Sequence, residues 1–284
     1  IFESQKKYLY ILTYMQMYCM CIYKKGEDDM KVIAIANQKG GVGKTTTTYN
    51  LAAAKAIEGK KVLMVDLDAQ GSLSIATGIE PGEERLEGFS TVDLFNPKKD
   101  PADTAFEVKS IPLKEKLFIV PSDPNLANTE NYVNSLDEKI YFVKDACDVF
   151  EQYDFDYVFL DCPPNLGIIV TNALVAADEV IIPVKTDYLS YRGVELIKDS
   201  IEKVKANKRM NPGIEVTGLI PTMYRGSIND HKDILAILEK QGKILGIVKE
   251  SIVASRGDVD GVPAVVSEPR SDVAKAYFDI AKLI

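Results

Sequence analysis

The stretch Asn37-Gln38-Lys39-Gly40-Gly41-Val42-Gly43-Lys44-Thr45-Thr46 constrains this chain more than any other. Ahead of it, Val32-Ile33-Ala34-Ile35-Ala36 is an apolar, β-branched run of the kind that forms a strand buried on both faces. Behind it, an alanine-rich segment from Thr47 to Glu58 is closed by Gly59, which predicts a helix with a glycine stop. Glycines between a strand and a helix let successive backbone N–H groups point inward, and the helix N-terminus adds partial positive charge. The expectation is a phosphate cradle, with Lys44 reaching the β and γ phosphates of a nucleoside triphosphate and the Thr45 hydroxyl on Mg²⁺.

The loop departs from the general pattern G-x-x-x-x-G-K-[ST]. Six positions before Lys44 stands Gln38, not glycine, and a second lysine, Lys39, directly precedes Gly40-Gly41. At these residues the chain resembles the deviant Walker-A ATPases, the ParA/MinD superfamily, and within it the ParA/Soj-type partition ATPases. The resemblance implies that Gly40, Gly41, Val42, Gly43, Lys44, Thr45 and Thr46 hold ATP. It also implies that Lys39 crosses a dimer interface to the partner's bound nucleotide.

Two carboxylate positions extend the site. Lys61-Val62-Leu63-Met64-Val65 predicts a second buried strand, and it runs into Asp66-Leu67-Asp68-Ala69. Alternation places Asp66 and Asp68 on one side of the strand end. Helix capping or loop solvation would account for either residue alone. Beside a phosphate loop, such a pair sits where Mg²⁺ and an attacking water are handled. By resemblance Asp68 orients the water and Asp66 supports the metal side, although Ala69 stands where the family usually has proline. Tyr157-Val158-Phe159-Leu160-Asp161 is a hydrophobic strand ending in one aspartate, a Walker-B pattern whose carboxylate holds Mg²⁺ through water. Thr45, Asp66 and Asp161 thus make the expected metal side. Cys162 has no C-x-x-C partner and reads as a small buried thiol.

Strands alternating with helices predict an α/β fold with a doubly wound, mostly parallel sheet of the P-loop NTPase type and helices on both faces. Further strands are expected at Leu117 to Val120, Glu179 to Val184, Ile214 to Ile220 and Ile244 to Val248. Helices are expected over Leu136 to Gln152, Thr171 to Ala177 and Val194 to about Asn207, and residues 78–116 read as irregular with short helical pieces. At 284 residues one large domain suffices, and 30–284 is read as that ATPase domain. Residues 1–29 read as an extra segment outside the fold, with Met30 as the natural start. Their apolar run, Tyr8 to Tyr23, is shorter than the roughly 20 residues of a membrane helix. Four cysteines make no disulfide framework, and Cys147 and Cys162 read as reduced cytosolic thiols.

The net charge of -8 argues against a surface basic all over, so nucleic-acid contact requires a local patch. The cations Lys198, Lys203, Lys205, Lys208 and Arg209 suit a helix C-terminus, and equally a patch touching DNA phosphates. By resemblance, Pro183 to Gly193 lies at the dimer face, Met223 lies near the adenine, and DNA contacts fall to Lys198, Lys205 and Arg225. Three departures qualify this: Lys249-Glu250 replaces a proline-arginine pair against the base, and Glu202 and Ser227 stand where relatives carry DNA-contacting arginines. His231, the single histidine, reads as a surface residue. The implied activity is a cytoplasmic, nucleoid-associated ATPase that hydrolyses ATP with Mg²⁺. It would form a homodimer when ATP-bound, coat non-specific DNA, and be switched off by a ParB-like centromere-binding protein. The alternative is a MinD-like membrane-surface switch, which asks for a basic amphipathic C-terminal helix in place of Ala281-Lys282-Leu283-Ile284. No membrane contact is expected. An iron–sulfur carrier of the same superfamily would want paired cysteines.

Overall fold

Strand β1 (Lys31–Ile35) turns Val32 and Ala34 to one face of the sheet and Ile33 and Ile35 to the other, each pair buried in its own apolar cluster. A strand covered on both faces reads as an unbroken apolar run, which is why it is so visible in the sequence. The computed structural model describes residues 30–284 except 97, 114, 137, 138 and 255–259, so the reading of residues 1–29 lies outside the described residues. After β1 come α1 (Lys44–Ile57), β2 (Val62–Asp66), α2 (Ser72–Ala76), β3 (Phe106–Glu107), β4 (Leu117–Val120), α3 (Leu126–Asn134) and α4 (Phe142–Phe150). Then follow β5 (Tyr157–Asp161), α5 (Ile168–Ala176), β6 (Glu179–Lys185), α6 (Tyr188–Ala206), β7 (Glu215–Thr222), α7 (Asn229–Gln241), α8 (Ala264–Ser267) and α9 (Asp272–Ala281).

Among the described residues the sheet has seven strands in the order β3-β4-β2-β5-β1-β6-β7, parallel throughout except for β3 at the edge. Helices α1, α8 and α9 share a core with Ile33, Ile35, Met64 and Phe159; α4 to α7 share the other with Val32, Ala34, Leu63 and Leu160. The fold is therefore the expected doubly wound one. Its order puts β5 between β2 and β1, in register so that Asp161 pairs with both Ile35 and Asp66. The chain then crosses to β6 on the far side of β1. That reversal opens the crevice at the strands' carboxyl ends where ligands bind in such sheets.

Several boundaries differ from expectation. α1 begins at Lys44 rather than Thr47, because Gly43 in the left-handed region (φ 85°) turns the loop straight into the helix. α6 begins at Tyr188 rather than Val194, since the Asp187 side chain caps it by accepting from Ser190 N at 2.8 Å. The helix expected over Leu136 to Gln152 is shorter, α4 with a 3₁₀ turn at Glu151–Tyr153, and α3 precedes it unannounced. Helix α3 buries only Leu126 and Val133, too few to mark an apolar stripe. Residues Ile244 to Val248 do not form the expected strand: Ile244 makes a single isolated bridge to Leu219 of β7, and the next bridge joins Lys249 to Tyr224 just beyond β7. Pro221 of β7 has no N–H to donate to that ladder, and Gly246 is pressed against α9, where an added Cβ would lie 2.7 Å from Ile280. Between β2 and β4 the chain takes the expected short turns, at Glu84–Leu86, Asp93–Phe95 and Pro101–Thr104. Among the described residues no helix is long and apolar enough to cross a membrane.

Candidate nucleotide-binding site

The loop after β1 is shaped by two glycines with positive φ, Gly41 at 69° and Gly43 at 85°. A Cβ built on Gly40 or Gly41 meets nothing within 4 Å, so this side of the loop faces open space. Helix α1 has neither a side-chain cap nor an acidic residue in its first turn. The start of the helix therefore carries no built-in negative partner at the positive end of its dipole, where an anionic ligand is favoured. Lys44 is 8% exposed and its Nζ donates to the Lys39 carbonyl at 3.3 Å, so its ammonium lies back along the loop. Lys39 itself is exposed.

Asp161 ends β5 directly beneath α1. Thr45 Oγ1 donates to its Oδ2 at 2.7 Å, and Thr48 Oγ1 donates to its Oδ1 at 3.3 Å. Burial pushes the Asp161 carboxyl well above the ordinary range and neighbouring Asp66 adds to the rise, while Thr45 and Lys44 pull the other way. Burial likewise lowers Lys44, against the opposing attraction of Asp161. A divalent cation would draw such a carboxyl back to its charged form. Magnesium bound with a nucleotide takes one or two protein oxygens and completes its shell from phosphates and water. A threonine hydroxyl and a carboxylate 2.7 Å apart, beneath an open phosphate loop, fit that requirement.

A family model described as an AAA domain (AAA_31) matches residues 30–216. The sporulation initiation inhibitor protein Soj of Bacillus subtilis is 32% identical over 255 residues, covering 89% of this chain and 97% of that protein. The chromosome partitioning protein ParA of Caulobacter vibrioides is 30% identical over 259 residues, covering 89% and 93%. The chain belongs to the ParA/Soj family of P-loop ATPases. Solved structures agree: a putative plasmid partition protein of Borrelia burgdorferi bound to AMPPNP superposes with a TM-score of 0.76 at 25% identity, covering 89% of this chain and 98% of that one. A cobyrinic acid a,c-diamide synthase from Mycobacterium smegmatis with bound ADP and magnesium gives 0.75 at 28%, covering 89% and 93%.

The other residues expected from the ParA/Soj pattern fall into distinct places. Asp66 is fully buried; its Oδ2 accepts from Ser74 N at 2.8 Å and Ser74 Oγ at 2.7 Å, and its Oδ1 from Asp68 N at 3.2 Å. Asp68 is half-buried and accepts from Gln70 N at 3.0 Å. Met223 follows β7 in the left-handed region (φ 51°), and the preceding Thr222 donates to the Val42 carbonyl at 2.8 Å, tying β7 to the phosphate loop. Of the three expected DNA contacts, Lys198 donates to the Gln241 carbonyl at the end of α7, and Arg225 pairs with Glu250. Lys205 is exposed on α6. His231 is half-buried, not a plain surface residue: its Nδ1 accepts from Arg225 N at 3.0 Å and lies 2.9 Å from Thr186 Oγ1. Cys147 and Cys162 are buried, free thiols.

Two residues without an expected role prove central. Asn37 is buried, donates to the Pro183 carbonyl at 2.7 Å and accepts from Lys39 N at 3.0 Å, fastening the loop to β6. Thr48 sits three residues after Thr45 on α1, on the same helix face, so its approach to Asp161 could have been anticipated from spacing. Asn37 offered no such cue.

Proposed function

We propose that the chain is an ATP-dependent partition ATPase in which nucleotide occupancy and subunit pairing are one event. The observation that carries this reading is the contrast between its two loop lysines. Lys44 is buried over its own site, whereas Lys39 is exposed beside the start of α6, where Tyr188 and Leu189 are 63% and 65% exposed. An added Cβ at Gly193 of α6 would lie 3.7 Å from Lys39 Cβ, so the free cation and the apolar helix start belong to one surface. A second copy placed there would cover the apolar side chains and receive Lys39 at its own phosphates. Thr45 and Asp161 would hold Mg²⁺, which neutralises charge on the phosphate oxygens when bound. Asp68 would orient the attacking water. ATP contributes differential binding energy to the pair, and hydrolysis removes it.

The paired form would bind DNA without sequence preference through a local cationic patch. Lys205 is its clearest member, with Lys198 and Arg225 contributing where their present partners release them. A ParB-like centromere-binding protein would stimulate hydrolysis and release, placing the protein on the nucleoid in the cytoplasm. Residues 30–284 would carry this whole cycle. Light scattering with a non-hydrolysable ATP analogue tests the pairing: the wild type should double in mass and Lys39→Ala should stay monomeric. A gel shift with unrelated DNA, run with ATP, ADP and the analogue, tests the rest. A protein that remains monomeric when saturated with the analogue refutes the reading, and tight binding to anionic vesicles without DNA binding would favour a MinD-like switch.

A further inference from the structure

We propose that Ser122 and Ser74 are positioning residues for Asp68, and that Asp66 serves the same ring rather than the metal. Ser122 follows β4 and Ser74 lies in α2; both are fully buried, as is Asp66. Ser122 Oγ donates to the Asp68 carbonyl at 2.6 Å, and Ser122 N donates to Ser74 Oγ at 2.8 Å. Ser74 Oγ in turn donates to Asp66 Oδ2 at 2.7 Å, and Asp68 N donates to Asp66 Oδ1 at 3.2 Å. The four residues close a ring that joins β2, the turn after it, α2 and the end of β4.

With Asp66 ionised, the proton arrangement of this ring is determined. A carboxylate and a carbonyl can only accept, and an N–H can only donate. Each serine hydroxyl must therefore give its proton to Asp66 or Asp68, and the lone pair left on Ser74 receives Ser122 N–H. Both the N–H and the C=O of Asp68 are thus anchored by buried side chains 2 and 54 residues away in sequence. The Asp68 carboxylate projects half-exposed from this fixed backbone. Asp66 has both oxygens engaged inside the ring, which leaves Thr45 and Asp161 as the cation side.

This inference rests on the assignment of Asp68 to the reacting water. Displacing a group that acts on the reacting atoms by about 1 Å costs up to about 100-fold in rate. The described side-chain hydrogen bonds of both serines stay within the ring, away from the phosphate loop, so substrate affinity should not follow. Ser122→Ala is expected to lower kcat by about 10- to 100-fold with the KM for ATP within about two-fold of wild type. In the nucleotide-free protein it should speed amide exchange over residues 66–76 and leave the Lys44 loop unchanged. In an Asp68→Ala background, Ser122→Ala should lower the residual rate no further. Ser90→Ala, a buried serine outside the ring, controls for general destabilisation and should keep wild-type kcat. The proposal is overturned by a Ser122→Ala kcat equal to wild type, by a KM that rises as much as kcat falls, or by additivity with Asp68→Ala. Normal hydrolysis by Asp68→Ala would instead remove the catalytic assignment itself. Exchange restricted to residues 66–76 would then mark the ring as purely structural.

Discussion

Gly193→Ala sets two effects of similar size and opposite sign against each other. Gly193 lies inside the 19-residue helix α6, where alanine is ordinarily better than glycine by about 1 kcal/mol. Here an alanine Cβ would lie 2.6 Å from Asn37 Oδ1, so that oxygen must retreat by about 0.8 Å to reach ordinary contact at 3.4 Å. Asn37 has no slack, being buried and bonded to the Pro183 carbonyl at 2.7 Å and to Lys39 N at 3.0 Å. Leaving buried partners unsatisfied costs about 1–3 kcal/mol. The net expectation is a loss of stability of up to about 2 kcal/mol, and a fall in melting temperature of about 2–4 °C for each kcal/mol. Because Asn37 also fixes the Lys39 end of the loop, affinity for a fluorescent ATP analogue should weaken in the same variant. Thermal unfolding and nucleotide titration of the purified protein measure both. A variant that melts higher than wild type and binds nucleotide equally well would show that helix propensity wins, and that Asn37 does not hold the loop.

Three further outcomes follow from the site and the core. Thr45→Ala should raise the Mg²⁺ concentration needed for half-maximal hydrolysis by roughly 10- to 150-fold, the equivalent of a charge-assisted hydrogen bond of about 1.5–3 kcal/mol; Thr45→Ser should restore it, and an unchanged Mg²⁺ curve would refute the role. Gly167→Ala would drive a Cβ into Glu130 Oε1, displacing the carboxylate that accepts from Ile168 N at 3.2 Å and from Asn165 Nδ2 at 3.3 Å; denaturant unfolding should show a loss of about 1–2 kcal/mol from the start of α5. Burial, with Asp148 and Asp178 nearby, pushes the Cys147 thiol far up, so the folded chain keeps a proton that the unfolded chain loses above about pH 8.5. Its contribution is complete below that pH and is lost as pH rises toward the folded value, by about 1.4 kcal/mol per pH unit; Cys147→Ala should flatten the alkaline limb of stability against pH, and an unaltered slope would contradict the burial argument.

The phosphate loop, β1 and Asp161 are legible in the amino-acid sequence because each depends on local rules. A strand buried on both faces must be apolar along its whole length, and a left-handed turn wants glycine, as at Gly41 and Gly43. Where burial is thin, the pattern is silent: α3 contributes two buried residues and left no mark. The expected strand at Ile244 to Val248 was likewise broken, by Pro221 lacking an N–H for the ladder and by Gly246 being pressed against Ile280, a residue distant in sequence.

Sequence therefore carried the identity of the groups that can face a triphosphate, since glycine, lysine, threonine and aspartate each offer few chemical alternatives at those positions. It could not carry how the groups are held. Asn37 reaches a carbonyl 146 residues away, Ser122 one 54 residues away, and Lys198 and Arg225 are turned to partners that no spacing rule specifies. The first two arise where strand order brings β4, β2, β5, β1 and β6 side by side, and the last two where α6 meets the end of α7 and where the chain after β7 meets residues 249–250; all depend on proximity in space rather than along the chain.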